Sequence, residues 1–117
     1  MKAKSYKDFA VWQKAMDLVV NVYEATKEFP KEETYGLCSQ MRRCAVSIPS
    51  NIAEGSRRGS KGEFRHFLGI AYGSGAELET QLEISIRLKY IDQDKVESMK
   101  SLLTEVVKML NSFISKT

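Results

Sequence analysis

The 117-residue sequence has little of several residue types that define whole classes of protein. It has two prolines and seven glycines, too few for a collagen-like or low-complexity chain. No run reaches the roughly 20 apolar residues of a membrane span, because Lys14 and Asp17 interrupt the richest stretch, Phe9 to Tyr23. The basic N-terminus lacks the apolar segment of a secretory signal. These absences predict a soluble, cytoplasmic protein without membrane contact.

Cysteine and histidine are also scarce, which limits redox and metal chemistry. Cys38 and Cys44 lie on one predicted helix at an offset where side chains do not face each other, so we expect two reduced core thiols. Glu63 and His66 have the ExxH spacing of di-iron bundles, but such a centre needs a second ExxH pair, and His66 is the only histidine. We therefore expect no metal, no cofactor and no catalytic site.

Apolar residues recur at helical spacing, and no window alternates as a strand does. Ser5 and Asp8 have the spacing of a capping box, and we expect the first few residues before them to be loose. The first predicted helix runs to about Glu28, because the position before Pro30 is disfavoured in a helix. Its apolar positions are Phe9, Trp12, Met16, Val19 and Tyr23.

The second predicted helix keeps its apolar spacing straight through a proline. Its apolar positions are Leu37, Met41, Cys44, Ala45, Ile48 and Ile52. We favour one helix kinked at Pro49; the alternative is a new short helix capped by Ser47, with the proline in its first turn. Gly55 and Gly59 are expected to end the element and to supply backbone freedom for the turn.

Two further helices complete the pattern. Ser60 and Glu63 form a capping box for the third, which we expect to end near Tyr90, while Asp94 and Glu97 mark the start of the fourth. The apolar positions are Phe64, Phe67 or Leu68, Ala71, Gly75, Leu78 and Leu82 in the third, and Val96, Met99, Leu103, Val106, Leu110 and Phe113 in the fourth. Four amphipathic helices with short connections predict an all-α, antiparallel up-and-down four-helix bundle spanning residues 1–117 as one domain.

Positive charge is concentrated in the segment between Gln40 and Arg65. This segment holds two acidic and six basic residues, and the basic ones include five of the chain's six arginines. Arginine's planar fork suits phosphate and carboxylate. The glycine-rich part lacks the order of a phosphate-binding P-loop and no strand precedes it. Our first candidates for phosphate contacts are Arg57, Arg58 and Lys61, and our second candidates are Arg42, Arg43 and Arg65.

Plainer interpretations of these residues stay open. The 55–62 segment is as consistent with a surface turn of solvated charges as with an anion site. Arg42 and Arg43 fit a salt bridge to Glu77 or Glu79, or a contact between subunits, as well as nucleic acid. Trp12 and the tyrosines are expected mainly in the core.

Glycines weaken the third helix at Gly69, Gly73 and Gly75, each by roughly 1 kcal/mol relative to alanine. Our hypothesis is that this thin face lets the helix approach another helix, within the bundle or across subunits. Gly73→Leu should then break assembly or folding.

Several stretches resemble one family: residues 10–15 (AVWQKA), 29–37 (FP through YGL), 40–58 with SIPSNIAEG at their centre, and 77–82 (ELETQL). The sequence resembles the four-helix-bundle proteins encoded in intervening sequences of 23S rRNA genes, also called S23 ribosomal proteins. The resemblance implies a bundle that assembles as a homopentameric ring. A relative in diversity-generating retroelements binds reverse transcriptase and nucleic acid, so a reverse transcriptase partner is implied by analogy only.

The sequence therefore predicts a non-enzymatic homo-oligomer that binds RNA or DNA through backbone phosphates. The rival hypothesis is a protein-binding scaffold whose arginines serve subunit or partner interfaces. Salt dependence separates the two, because phosphate contacts weaken steeply with salt and apolar contacts do not.

Overall fold

Four α-helices follow one another in the computed structural model, which describes residues 5–117, and no strand occurs in that range. The helices are α1 (Ala10–Thr26), α2 (Leu37–Ser56), α3 (Lys61–Arg87) and α4 (Gln93–Lys116), with 3-10 turns at Tyr6–Asp8 and Lys31–Glu33. Each helix packs against the next in the chain, and α1 closes against α4. The all-helical prediction is confirmed, whereas the N-terminal residues expected to be loose lie outside the described range.

The core runs along the centre of a body measuring 43 × 24 × 20 Å. Every helix contributes a continuous buried row, as an amphipathic helix in a bundle must. Fully buried examples, one from each helix, are Leu18, Met41, Leu78 and Leu110. In α2, α3 and α4 most of these rows are the predicted ones.

The predicted apolar row of α1 is wrong by about one residue. The buried positions are Val11, Ala15, Leu18, Val22 and Ala25, whereas Met16 and Tyr23 are each 39% exposed. The larger residues Trp12, Met16 and Tyr23 are only partly buried, whereas Val11, Ala15, Leu18, Val22 and Ala25 face the core. Assigning the largest apolar side chains of α1 to the core therefore predicted the wrong buried face for this helix.

Residues Leu37–Ser56 form a single helix with Pro49 inside it, so the alternative of a separate helix capped by Ser47 is wrong. The side chain of Ser47 instead bonds Ser74 of α3 at 2.9 Å between the two Oγ atoms and accepts from Asn51 Nδ2. This bond belongs to the α2–α3 contact.

Gly55 has a packing role and does not supply the turn. It lies within α2, and no glycine among the described residues has a positive φ. A Cβ at this position would lie 2.7 Å from Cβ of Phe67 and 3.0 Å from Cδ1 of Phe64. Gly55 therefore lets α3 approach α2 closely at the end where they connect.

The glycines of α3 separate into two groups. A Cβ on Gly75 would meet Val107 of α4 at 3.0 Å, so this glycine serves packing within the bundle. Gly69 and Gly73 are exposed and face open space within the protomer. Folding therefore gives no reason for these two glycines, and only the assembly half of the Gly73→Leu hypothesis survives.

The ends of α3 and α4 differ slightly from their predicted positions. Helix α3 ends at Arg87, and Tyr90 instead packs on Phe29 with ring centroids 5.5 Å apart. Helix α4 begins two residues earlier than expected, because Asp92 caps it by accepting from the Lys95 N–H at 3.2 Å. Which acidic residue caps a helix depends on the local backbone conformation. The acid-rich sequence around Asp94 did not show that Asp92 is the cap.

Candidate nucleic-acid interface

The turn between α2 and α3 carries four basic side chains, Arg57, Arg58, Lys61 and Arg65, all exposed. We call this set the basic junction. It forms because α2 ends at Ser56 and α3 starts only five residues later. Ser60 holds the start of α3, since its Oγ accepts from the Glu63 N–H at 3.2 Å. The Ser60 half of the predicted capping box is therefore present, whereas the Glu63 side chain accepts from the Ser60 hydroxyl and not from its backbone N–H.

Three phenylalanine rings pack together at the end of the bundle that carries the basic junction. Phe9 before α1, Phe64 in the first turn of α3 and Phe113 near the end of α4 meet with ring centroids 5.2–6.2 Å apart. The Phe9–Phe64 pair is stacked and the two pairs with Phe113 are edge-to-face; aromatic pairs of both kinds contribute about 0.5–1.5 kcal/mol beyond their buried area. The basic junction therefore adjoins a packed aromatic cluster, to which α3, α4 and the residue before α1 each contribute one ring.

Two of the four basic residues lie over aromatic rings. The Arg57 guanidinium lies 5.6 Å from the ring centre of Tyr6, and that of Arg58 lies 4.9 Å from the ring centre of Phe67. Arg58 also pairs with Glu54 at 2.9 Å, one turn back on α2. In the described part of the chain, the other three members of the junction have no ion pair.

The two ends of the folded bundle carry opposite net charge, and this difference is not evident from the order of charged residues along the chain. The described segments that meet at the junction end, 5–9, 54–66 and 112–117, hold six basic and three acidic side chains. The opposite end, formed by 27–36 and 88–97, holds four basic and six acidic side chains. A polyanion therefore meets an attractive end and a repulsive end.

Arg42 lies away from the junction and serves the bundle. At the helical rise of 1.5 Å per residue, even the next residue, Arg43, lies about 21 Å along α2 from Arg57. Arg42 Nε donates to Thr26 Oγ1 at 2.9 Å, Nη2 donates to the Tyr23 carbonyl at 3.3 Å, and the guanidinium lies 4.6 Å from the Tyr23 ring centre. These contacts join α2 to α1, and neither Glu77 nor Glu79 is its partner.

Arg43 is exposed, has no ion pair in residues 5–117, and lines a groove between α2 and α3 with Cys44, Glu77 and Gln81. Cys44 Sγ donates to Glu77 Oε2 at 3.3 Å. Burial, followed by this hydrogen bond to a carboxylate, raises the pKa of the Cys44 thiol. The thiol therefore stays protonated and unreactive at neutral pH.

Both cysteines are free and buried, as predicted. Glu63 serves the Ser60 cap, while the exposed His66 lies edge-on to Phe67 at 5.4 Å. Within residues 5–117, no group of three or more histidine, cysteine or acidic side chains is placed to hold a metal ion. No helix in that range is both long and apolar enough to cross a membrane.

The aromatic residues are less buried than the sequence suggested. Trp12 is half-buried and meets Tyr6 edge-on at 5.4 Å, and Tyr35 is 96% exposed. The contacts of Arg57 with the Tyr6 ring and of Arg58 with the Phe67 ring were not predicted from the sequence. Tyr6 precedes α1 and Arg57 follows α2, so only the fold brings them together.

The comparisons with known proteins agree with one another. A family model described as 23S rRNA-intervening sequence protein matches residues 7–112. A crystal structure from Bacteroides thetaiotaomicron VPI-5482, of a protein with unknown function from the S23 ribosomal protein family, matches with a TM-score of 0.80 and 30% identity. The match covers 90% of this chain and 95% of that chain. No curated protein matches the sequence.

Proposed function

The chain belongs to the 23S rRNA-intervening sequence protein family, and we propose that it is a non-enzymatic, homo-oligomeric protein that binds the phosphate backbone of RNA or DNA. The observation that carries this proposal is the basic junction: four exposed cations at one end of the bundle, of which Arg58 alone has an ion pair within residues 5–117. A cytoplasmic location and a pentameric ring are part of the same proposal.

The geometry of the junction suits phosphate better than a base edge. Arginine and lysine side chains lie beside the capped start of α3, where the helix dipole favours negative charge. An assembly repeats this modest site once per subunit, and linked sites gain affinity through their effective concentration. Arg43 is a secondary contact in this proposal, whereas Arg42 acts through stability because its donors are used within the protomer.

Charge reversal at two unpaired positions tests the site. We expect Arg57→Glu/Lys61→Glu to weaken RNA and DNA binding at least tenfold, and to reduce the slope of log affinity against log salt, because phosphate contacts are lost. A glutamate at position 61 lies in the first turn of α3 and favours the helix. Fluorescence anisotropy at several salt concentrations, with solution mass checked in the same buffer, measures the effect.

The matched control is Lys100→Glu/Lys108→Glu on α4. Both lysines are exposed and without an ion pair in residues 5–117, so the variant has the same net charge change in a different place. We expect a smaller loss with this pair. Equal losses in the two variants, or full affinity in the junction variant, would remove the proposed site.

The second candidate function is a protein-binding scaffold or accessory subunit. It is favoured by apolar side chains that the bundle leaves uncovered, with Val20 59% exposed and Leu88 49% exposed. A reverse transcriptase partner rests on family analogy alone. Absence of nucleic-acid binding by the wild-type protein at low salt would make this candidate the working hypothesis.

A further inference from the structure

The contact between α2 and α3 contains most of the buried polar side chains of the bundle. Of the four within residues 5–117, Thr26 lies on α1, and Ser74, Gln81 and Ser85 lie on α3. Buried polar groups in proteins are almost always hydrogen-bonded. Ser74 shares a bond with Ser47 of α2 at 2.9 Å, and Ser85 Oγ donates to the Gln81 backbone carbonyl at 2.9 Å. The side-chain carbonyl of Gln81 has no such partner in the described part of the chain.

The unpaired carbonyl of Gln81 is hard to explain by folding. The side chain is only 6% exposed, and its Oε1 is shielded from water. Contact of the amide with the Cys44 sulfur leaves this oxygen unused. A buried carbonyl without a partner makes folding less favourable, and an apolar side chain of similar length would avoid that cost. The last torsion of a glutamine is broad, so the amide can turn its oxygen toward a ligand that donates a hydrogen bond.

Gln81 lines an open groove of about 340 Å³ between α2 and α3, which we call the α2–α3 groove. Polar side chains at helical spacing line it from both helices, and among the described residues no aromatic ring does so. The buried side chains of Cys44, Ser74 and Gln81 form its floor, whereas Arg43 and Glu77 are exposed at its rim.

The α2–α3 groove offers a ligand both signs of charge and both kinds of hydrogen-bonding group. Arg43 and Glu77 have no ion pair within residues 5–117. The Cys44 thiol donates to one carboxylate oxygen of Glu77 at 3.3 Å, which leaves the other oxygen for a ligand. The hydroxyls of Ser47 and Ser74 share one hydrogen bond, so one of their two hydrogens is left to donate.

We propose that the α2–α3 groove binds a small zwitterion of the free α-amino acid class. The ligand carboxylate pairs with Arg43 and accepts from a serine hydroxyl, and the ligand ammonium pairs with Glu77 and donates to Gln81 Oε1. One guanidinium and one carboxylate match a ligand with one charge of each sign. The groove is at the lower end of the range for ligand pockets, about 300–1,000 Å³, which suits a small molecule.

A nucleobase is a poorer occupant of the α2–α3 groove, because the groove provides no ring on which a base could stack. The inference goes beyond the proposed function and does not depend on it. Arg43 lies about 21 Å along α2 from the nearest arginine of the basic junction. All titrations of the groove use protein free of nucleic acid, so a failed groove and a failed nucleic-acid site give different results.

Isothermal titration calorimetry with glycine and L-serine tests the α2–α3 groove. We expect saturable binding of both. The melting temperature should rise with the concentration of either amino acid, because a ligand that binds only the folded state stabilises it. Glycinamide, which lacks the carboxylate, and acetate, which lacks the ammonium, should each bind at least about tenfold more weakly. Guanosine, the probe for a nucleobase, should not bind.

Two substitutions locate the ligand in the groove. Arg43→Gln, at an exposed position, should weaken glycine binding at least about tenfold and keep the melting temperature of the ligand-free protein. Gln81→Met should also weaken glycine binding, but it should raise that melting temperature, because the unpaired carbonyl is removed. Lys108→Gln on α4 has the same charge change as Arg43→Gln at another exposed position, and it should bind glycine like the wild type.

The proposal is overturned if the wild type shows no saturable binding of glycine or L-serine, or if it binds guanosine instead. It is equally overturned if glycinamide or acetate binds as tightly as glycine, or if Arg43→Gln keeps the wild-type affinity. A ligand-free Gln81→Met protein that is less stable than the wild type, or one that binds glycine normally, would assign the Gln81 amide to the fold and remove it from the site.

Discussion

At the residue scale, glycine has opposite roles at two positions of similar sequence context. Gly55 is buried where a Cβ would press on Phe64 and Phe67, whereas Gly73 is exposed with open space around it. The same substitution, glycine to alanine, should therefore change stability in opposite directions. From the sequence, Gly55 was expected to end α2 and Gly73 to weaken α3, so this contrast in packing was not predicted.

We expect Gly55→Ala to lower the free energy of unfolding by about 1–2 kcal/mol, because overpacking outweighs the better helix propensity. Gly73→Ala should raise it by about 0.5–1 kcal/mol. Urea unfolding at several protein concentrations separates the stability of the protomer from that of an assembly. Shifts of the same sign in both variants would contradict the packing assigned to these glycines.

At the element scale, Glu33 connects the two loops at the acidic end. Its Oε1 accepts from the Leu37 N–H at 3.0 Å near the start of α2, and its Oε2 accepts from the Tyr90 hydroxyl at 3.1 Å after α3. The hydrogen bond to this carboxylate is the main cause that raises the pKa of Tyr90 above its ordinary value. The contact depends on a protonated phenol.

The pH dependence of stability follows from that direction. A folded-state pKa above the unfolded value of about 10 means that the bond stabilises the fold fully below pH 10 and is lost as pH rises through the folded pKa. Tyr90→Phe should therefore be less stable than wild type at pH 8, and this difference should shrink at higher pH. Urea midpoints measured between pH 8 and 11 give the comparison.

Tyr35→Phe is the control, because Tyr35 is 96% exposed and makes none of the described side-chain hydrogen bonds. Its difference from wild type should be small and independent of pH. A Tyr90→Phe difference that stays constant up to pH 11 would show that the phenol does not lose its bond by titration.

The accuracy of prediction also varies with scale. Helix number, the Ser60 cap and the passage of α2 through Pro49 were predictable because they depend on neighbours a few residues apart. The buried row of α1 was not, because tertiary packing buries Val11, Ala15 and Leu18 and leaves the larger Trp12, Met16 and Tyr23 partly exposed. The Arg42 contacts likewise join α2 to α1 across 16 residues.

At the scale of the whole molecule, the charge window of the sequence separates into distinct sites. Arg43 lies about 21 Å along α2 from the basic junction, and Arg42 is used between helices. The junction instead shares its end of the bundle with the start of α1 and the end of α4. Only an up-and-down fold places these distant segments together, so composition could predict the presence of a basic patch but not its position.

Assembly and nucleic-acid binding should then be coupled through valency. The variant Val20→Glu/Val46→Glu places charge on two apolar side chains that the bundle leaves exposed, so we expect it to keep its junction and to assemble less readily. On an oligonucleotide long enough to reach several junctions, we expect the wild type to bind at least tenfold more tightly and with a steeper salt dependence, because more phosphates are engaged at once. Anisotropy titrations with long and short oligonucleotides measure both quantities.

A short oligonucleotide that reaches only one junction provides the internal control for this comparison. When concentrations are counted per protomer, wild type and Val20→Glu/Val46→Glu should bind it with nearly equal affinity and equal salt slope, because each complex has the same phosphate contacts. Equal affinity on the long oligonucleotide as well would mean that subunits bind independently. A loss of affinity for the short oligonucleotide would place part of the site around Val20 and Val46, and the basic junction would no longer account for binding.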